Sequence, residues 1–411
     1  MDSRLRAVLS RRAAVGRGGA VGAGLGLLAT AGARDAAAQD WKAVAATPTV
    51  GAQPAAPPFP GLTGGLAPFT HPLESSSDVQ QVPFGTVRWA RARQMATLSG
   101  VAMASEILAP GGLRELHWHL NAHELSYCLA GSGRFGVFAS DGTGETFDIR
   151  PGSITFMPNG YTHFIENTGP DELHLILTFT DEQPETIDLS QTLPSLPLPL
   201  LAQTFGVTAD GFPFLPVRGD RSIVQALAAT PPATETAATP APSEPSAYSI
   251  HVDRIPAKEF GGGSVRPLSR KELPIIEGIT VYPLQIVPGG LREPHWHPGT
   301  SEMNYCVSGR AQIGLIAPDG SLQTFAVEPG TVAFIPQNWF HYIANLGDDP
   351  LAFLVFFVNP NAEAPHIDLS QTIDFFPPAV VAASFGVDSA TFAALPQRGD
   401  IFLAAPVETE G

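Results

Sequence analysis

The stretch GGLRELHWHLNAHELSYCLAGSGR, residues 111–134, recurs as GGLREPHWHPGTSEMNYCVSGRAQ beginning at Gly289. His117 to His295 and His163 to His341 are each 178 residues apart. Further on, IDLSQT at 187 and 367, FGV at 205 and 385, and RGD at 218 and 398 repeat at 180, so the second copy gains two residues after its last histidine. Self-similarity on that scale in a chain of 411 residues is a duplicated domain. Each copy is built of short runs bounded by Gly, Pro and Asp, such as GRFGVFASDG and RAQIGLIAPDG, which read as antiparallel strands joined by tight turns. ELHLILTFTD and PLAFLVFFVN are apolar enough for central strands. Helical signals are confined to LPSLPLPLLAQTFGV and IDFFPPAVVAASFGV. The expectation is an all-β chain: two double-sheet jelly-roll barrels in tandem, with short C-terminal helices in each half.

Outward from the repeats, the chain divides at composition shifts. Residues 1–38 carry six Arg (4, 6, 11, 12, 17 and 34) against Asp2 and Asp35. Within them Ser10-Arg11-Arg12 precedes an apolar stretch from Ala20 to Ala33, and Ala36-Ala37-Ala38 offers a small-residue cleavage site. This reads as an export signal, and the paired arginines resemble a bacterial twin-arginine signal, a route that carries folded proteins. The expected location is periplasmic or extracellular. Residues 39–85 read as an extended arm, 86–221 as the first barrel, 222–247 as an exposed Pro/Ala/Thr-rich linker and 248–411 as the second barrel. No run after the signal is long enough to span a bilayer.

The net charge of −16 falls to about −20 without residues 1–38. Such a surface argues against nucleic acid and anionic membrane as partners, and any attraction for an anionic substrate has to be local. Two cysteines, Cys128 and Cys306, exclude a disulfide framework. Each follows a glutamate by four residues in a strand, hence on the same face, and both read as buried free thiols.

The chemistry-bearing residues lie in the repeats. Residues i and i+2 of a strand point the same way, so His117 and His119 share a face. Glu124 can return to that face after a turn, and His163 opens a strand on the opposing edge. Four such groups inside a barrel would hold one divalent cation with open positions for substrate or water. His295, His297, Glu302 and His341 repeat the set, so six of the 11 histidines stand at ligand positions. Trp118 and Trp296, between the paired histidines, should face away from the metal.

These residues carry a family resemblance. Gly111, His117, His119, Glu124 and Gly131, then Gly152, Pro158, Gly160, His163 and Asn167, fit the two cupin motifs. The second copy fits through Gly289, His295, His297, Glu302, Gly309, Gly330, Pro336, His341 and Asn345, with Asn338 where glycine is usual. With LRELHWH, LREPHWHP and GGSVR at 262–266, the layout resembles the bicupin oxalate decarboxylases from about residue 80 to 400.

The resemblance implies manganese at both sites and cleavage of oxalate to formate and carbon dioxide, although His and carboxylate ligands also accept Fe, Ni, Cu or Zn. It implies a substrate-facing arginine at Arg114 and Arg292, and assembly into a homo-oligomer. It also implies a carboxylic acid near the metal to carry a proton. The family's lid segment is not reproduced in TDEQPETIDLS at 180–190, where Glu182 and Glu185 are the candidates. The family's second-barrel pocket glutamate corresponds to Val355, and to Leu177 in the first barrel. The alternatives are an oxalate oxidase releasing carbon dioxide and peroxide, and a non-catalytic exported metal-binding or storage cupin.

Overall fold

The computed structural model describes residues 68–213, 215, 224–226, 245–393, 395 and 399–404. The expected export signal and residues 39–67 of the expected arm lie outside them. Each repeat folds into two facing antiparallel sheets. In the first barrel, one sheet runs in the order 249–251, 153–157, 124–130, 173–179, 102–108, 85–90 and 79–82. It faces a sheet ordered 186–188, 112–119, 162–167, 133–138 and 144–149. The second barrel repeats this, with 301–308, 351–358 and 279–286 central in one sheet and 311–316, 340–345 and 291–296 in the other.

The strand Glu124–Ala130 shows why the two barrels form one body. Its residues alternate, as any strand must. Cys128 points into the first barrel's interior, while Leu125, Tyr127 and Leu129 join a buried cluster with Phe334 and Phe356 of the second barrel. Both faces are therefore buried. Each fully buried Leu or Phe there contributes about 1.5–3 kcal/mol relative to exposure.

The barrels also exchange strands. Thr70–His71 pairs with Val332–Ala333 of the second barrel, and Ser249–His251 pairs with Ser153–Thr155 of the first. The boundaries expected at 85/86 and 247/248 are thus crossed in both directions, because each barrel's open edge is closed by the segment leading into the other. A polar cluster joins the segment before the first barrel to both barrels: Tyr305 Oη donates to Glu74 Oε1 at 3.1 Å, and His174 Nε2 lies 2.9 Å from Ser105 Oγ and 3.3 Å from Glu74 Oε1.

The expected linker also differs at its start. Val224–Ala226 is a strand paired with Gly112–Arg114, and Val224 is buried. Val224, read there as part of an exposed Pro/Ala/Thr-rich linker, closes the free edge of a central strand. The short helices sit where expected, at Leu198–Phe205 and Pro378–Phe385, each ended by a left-handed glycine, Gly206 and Gly386. Cys128 and Cys306 are buried and free. Asn338, the departure from the motif, has φ +66°, a conformation Asn tolerates better than other side chains.

Candidate metal centres

His117 and His119 share a face of the strand Gly112–His119, and His163 pairs directly opposite His117. Glu124 begins the strand that faces them from the other sheet. The ligand atoms of His117, His119, Glu124 and His163 lie within 4.8 Å of one another, as do those of His295, His297, Glu302 and His341, and all eight residues are buried. Both expected ligand sets are therefore assembled.

Arg114 is three residues before His117, and strict alternation would turn it to the opposite face. The ladder slips between these residues, and between Arg292 and His295, so that three residues on one strand span two on its partner. This bulge turns the arginine inward beside the histidines.

Hydrogen bonds on the far side of the rings set the imidazoles' tautomers. His117, His163, His295, His297 and His341 each place Nδ1 2.7–2.9 Å from a backbone carbonyl, and His119 Nδ1 lies 3.0 Å from Thr186 Oγ1. A carbonyl only accepts, so those Nδ1 atoms carry hydrogen and their Nε2 lone pairs face inward. There they meet a carboxylate: His297 and His341 Nε2 stand 3.0 and 3.2 Å from Glu302 Oε2, and His163 Nε2 3.6 Å from Glu124 Oε2. Acceptors facing one another at such distances need a positive charge between them.

Burial disfavours the imidazolium form, pushing His117 and His295 well below their usual range. For Glu124 and Glu302 burial alone would favour the neutral acid. A proton or other positive charge shared with the facing Nε2 atoms outweighs it and holds both below the ordinary carboxylate range. Glu124 Oε1, His163 Nε2 and His297 Nε2 are buried without a hydrogen-bond partner. Three neutral imidazoles and a carboxylate, inward lone pairs free, fit a divalent cation.

Each cluster opens into a cavity. The first has a volume of about 270 Å³ and is lined by Glu106, Arg114 and Asp188 among apolar Val87, Leu177 and Phe179. The second, about 490 Å³, is walled by Phe260, Tyr282, Leu284, Val355, Phe357 and Phe402 around Arg292. Both arginines are thus buried in the metal cavities, each ion-paired at 2.7 Å: Arg114 with Asp188 and Arg292 with Asp368. The two aspartates are the D of the repeated IDLSQT, so the repeat itself is their signal in the sequence. Glu115 and Glu293 hold the same segments by accepting from the backbone N–H and hydroxyl of Ser190 and Ser370.

Glu182 and Glu185, expected as proton carriers, are not brought to the site. Glu182 Oε2 accepts from the backbone N–H of Gly100 at 2.7 Å. Glu185 is exposed, its backbone tied to Asn121 and Leu120. The segment between strands 173–179 and 186–188 is a short, pinned connection, and neither carboxylate lines either cavity.

Glu106 and His366, neither expected from the sequence, do line them. Glu106 is 3% exposed, its Oε1 has no partner, and burial pushes it up to about 7 despite the pull of Arg114. In the second cavity His366 lies 3.3 Å from Asp368 Oδ2, where the first barrel has Thr186.

The sequence model of the family described as Cupin matches residues 73–210 and 254–392. The oxalate decarboxylase of Bacillus subtilis is 28% identical over 302 residues, 73% of this chain and 77% of that protein. A solved Lactobacillus farciminis oxalate decarboxylase formate complex superposes with TM-score 0.72 at 26% identity, covering 82% of this chain and 98% of its own. A Bacillus subtilis oxalate decarboxylase structure, from work on that enzyme's Mn(II) centres, gives TM-score 0.72 at 25% identity over 84% of this chain and 90% of its own.

Proposed function

This chain belongs to the cupin family, carrying the domain twice, and from that premise we propose that it is a manganese-dependent decarboxylase converting oxalate to formate and carbon dioxide. One observation carries the reading: in each barrel a buried guanidinium and a three-histidine, one-glutamate cluster line the same cavity. A small dicarboxylate is the ligand with negative charge to offer to both. When bound by His117, His119, Glu124 and His163, or by their four counterparts, manganese would supply positive charge and one-electron chemistry. The relatives' manganese and oxalate support those choices over other metals and acids.

The chain's own residues would do the rest. Arg114 and Arg292 stand where a carboxylate can pair with them, and Asp188 and Asp368 fix the guanidinium planes in advance. The apolar walls limit water around the substrate, which strengthens these charge interactions. The reaction breaks the carbon–carbon bond of oxalate, leaves the electron pair on the carbon that becomes formate, and needs one proton delivered to that carbon.

An oxidase releasing carbon dioxide and peroxide is the second reading, favoured by Leu284 and Val355, which leave the second cavity's wall apolar. Manganese-loaded protein given oxalate at mildly acidic pH under air separates these. Formate in stoichiometric yield is expected. Peroxide instead would make it an oxidase, and neither product, with metal bound, would leave a metal-storing cupin. The acidic Ser10-Arg11-Arg12-led chain is further read as exported, a reading supported by residues 1–38.

A further inference from the structure

One carboxyl in the first barrel is unexplained by metal binding. Glu106 sits on the strand Ala102–Leu108, opposite Val87 on one neighbouring strand and Leu175 on the other. Its inward-facing companions are Ala102, Ala104 and Leu108, all of the barrel's apolar core. Alternation therefore aims Glu106 inward, and it lines the cavity with His117, His119, Glu124 and Arg114. An apolar side chain would suit that wall better, and the duplicate has one: 178 residues on stands Leu284, which lines the second cavity. The first barrel instead buries a carboxyl whose Oε1 has no partner. A polar group kept at such a place against packing preference marks function.

We propose that Glu106 is the proton carrier of the first barrel, delivering a proton to the carbon of oxalate that becomes formate. This rests on the decarboxylase reading above. In the step, Glu106 begins as a carboxylic acid. The carbon–carbon bond of bound oxalate dianion breaks, carbon dioxide leaves, and the electron pair remaining on the other carbon takes the proton of Glu106. The products are formate, carbon dioxide and the Glu106 carboxylate, which the next hydrogen oxalate reprotonates. Its burial, which favours the neutral acid, supplies the starting form, with Arg114 opposing and Glu124 and Asp188 reinforcing it. Glu182 and Glu185 cannot take this role from where they are held.

The test uses manganese-loaded full chain with Glu106→Gln, Glu106→Asp and Glu106→Leu, the last copying the second barrel. Formate turnover, metal content and the infrared band of a neutral carboxylic acid are measured together. Glu106→Gln should lose about 100-fold or more in kcat, with KM changed less than about threefold. It should keep both metals and lose an infrared band that the wild type shows. Glu106→Asp should recover part of the loss. If the Gln variant does not fold, Glu106→Leu carries the same test. Formate at the wild-type rate from Glu106→Gln overturns the proposal alone, and so does a loss explained wholly by missing metal. Absence of formate from the wild type overturns the decarboxylase reading itself, and Glu106 as its proton carrier with it.

Discussion

Replacing Asp188 by Asn should destabilise the first barrel far more than a surface charge change would. Arg114 is 5% exposed and Asp188 9%, with Nη1 and Oδ1 2.7 Å apart. Removing one partner of a buried pair strands the other charge away from water, at about 3–5 kcal/mol. For a domain of this size one kcal/mol moves the midpoint by about 2–4 °C, so a fall of roughly 6–20 °C is expected. Arg114→Met should cost a comparable amount. The double variant should fall well short of their sum, because an isosteric apolar or neutral pair strands no charge. Thermal unfolding of all four proteins at equal metal occupancy gives the cycle. A shift below about 1 kcal/mol for Asp188→Asn, or strict additivity in the double variant, would refute the claim that the aspartate balances a buried arginine.

Other consequences can be checked separately. Changing His295 and His297 together to Ala should halve the bound metal, from two ions per chain to one, by elemental analysis; full retention would sink the ligand assignment. In the metal-free protein, the Glu106 value raised to about 7 makes the folded state hold a proton that the unfolded chain releases near 4.5. The stability from keeping this group neutral is then full below about pH 4.5 and is lost as pH rises through 7, roughly 3 kcal/mol in all. Denaturation of Glu106→Gln should show that fall removed, and an unchanged slope would contradict it. Burial pushes Cys128 up to about 12 and Cys306 well above the usual thiol range, so an aromatic disulfide reagent should label neither until the protein is denatured. Changing Arg11 and Arg12 to Lys should block export of the chain, and unaltered secretion would exclude a twin-arginine route.

The duplication and the two candidate ligand sets were legible because each rests on a local pattern stated twice, whereas the inward arginines came only from the family resemblance. His-x-His fixes a face by alternation, and a second copy at constant spacing removes coincidence. Asp188 and Asp368 were equally repeated. What hid them was chemistry: an aspartate before a helical turn reads as a cap, and only the fold shows it reaching back to an arginine 74 residues away. The bulge beside Arg114 was invisible for the opposite reason, since strict alternation contradicts the position the side chain takes.

Strand exchange is not legible in the sequence because Thr70–His71 and Ser249–His251 are too short to carry a period, and their partners are set by tertiary closure. Glu106 was one acid in an apolar strand, without a duplicate to flag it; the absence of an acid at Leu284 was the available signal. Glu182 and Glu185 looked suitable by analogy with a lid, but a short connection pinned at both ends cannot swing a carboxylate into the cavity.

The central claim, redox-neutral cleavage of oxalate at a manganese site, meets its most direct test in carbon-13 NMR of doubly labelled oxalate turned over by the manganese-loaded protein. The account predicts one labelled formate and one labelled carbon dioxide per oxalate consumed, without peroxide. All label in carbon dioxide, or oxalate left intact beside fully metallated protein, would contradict it.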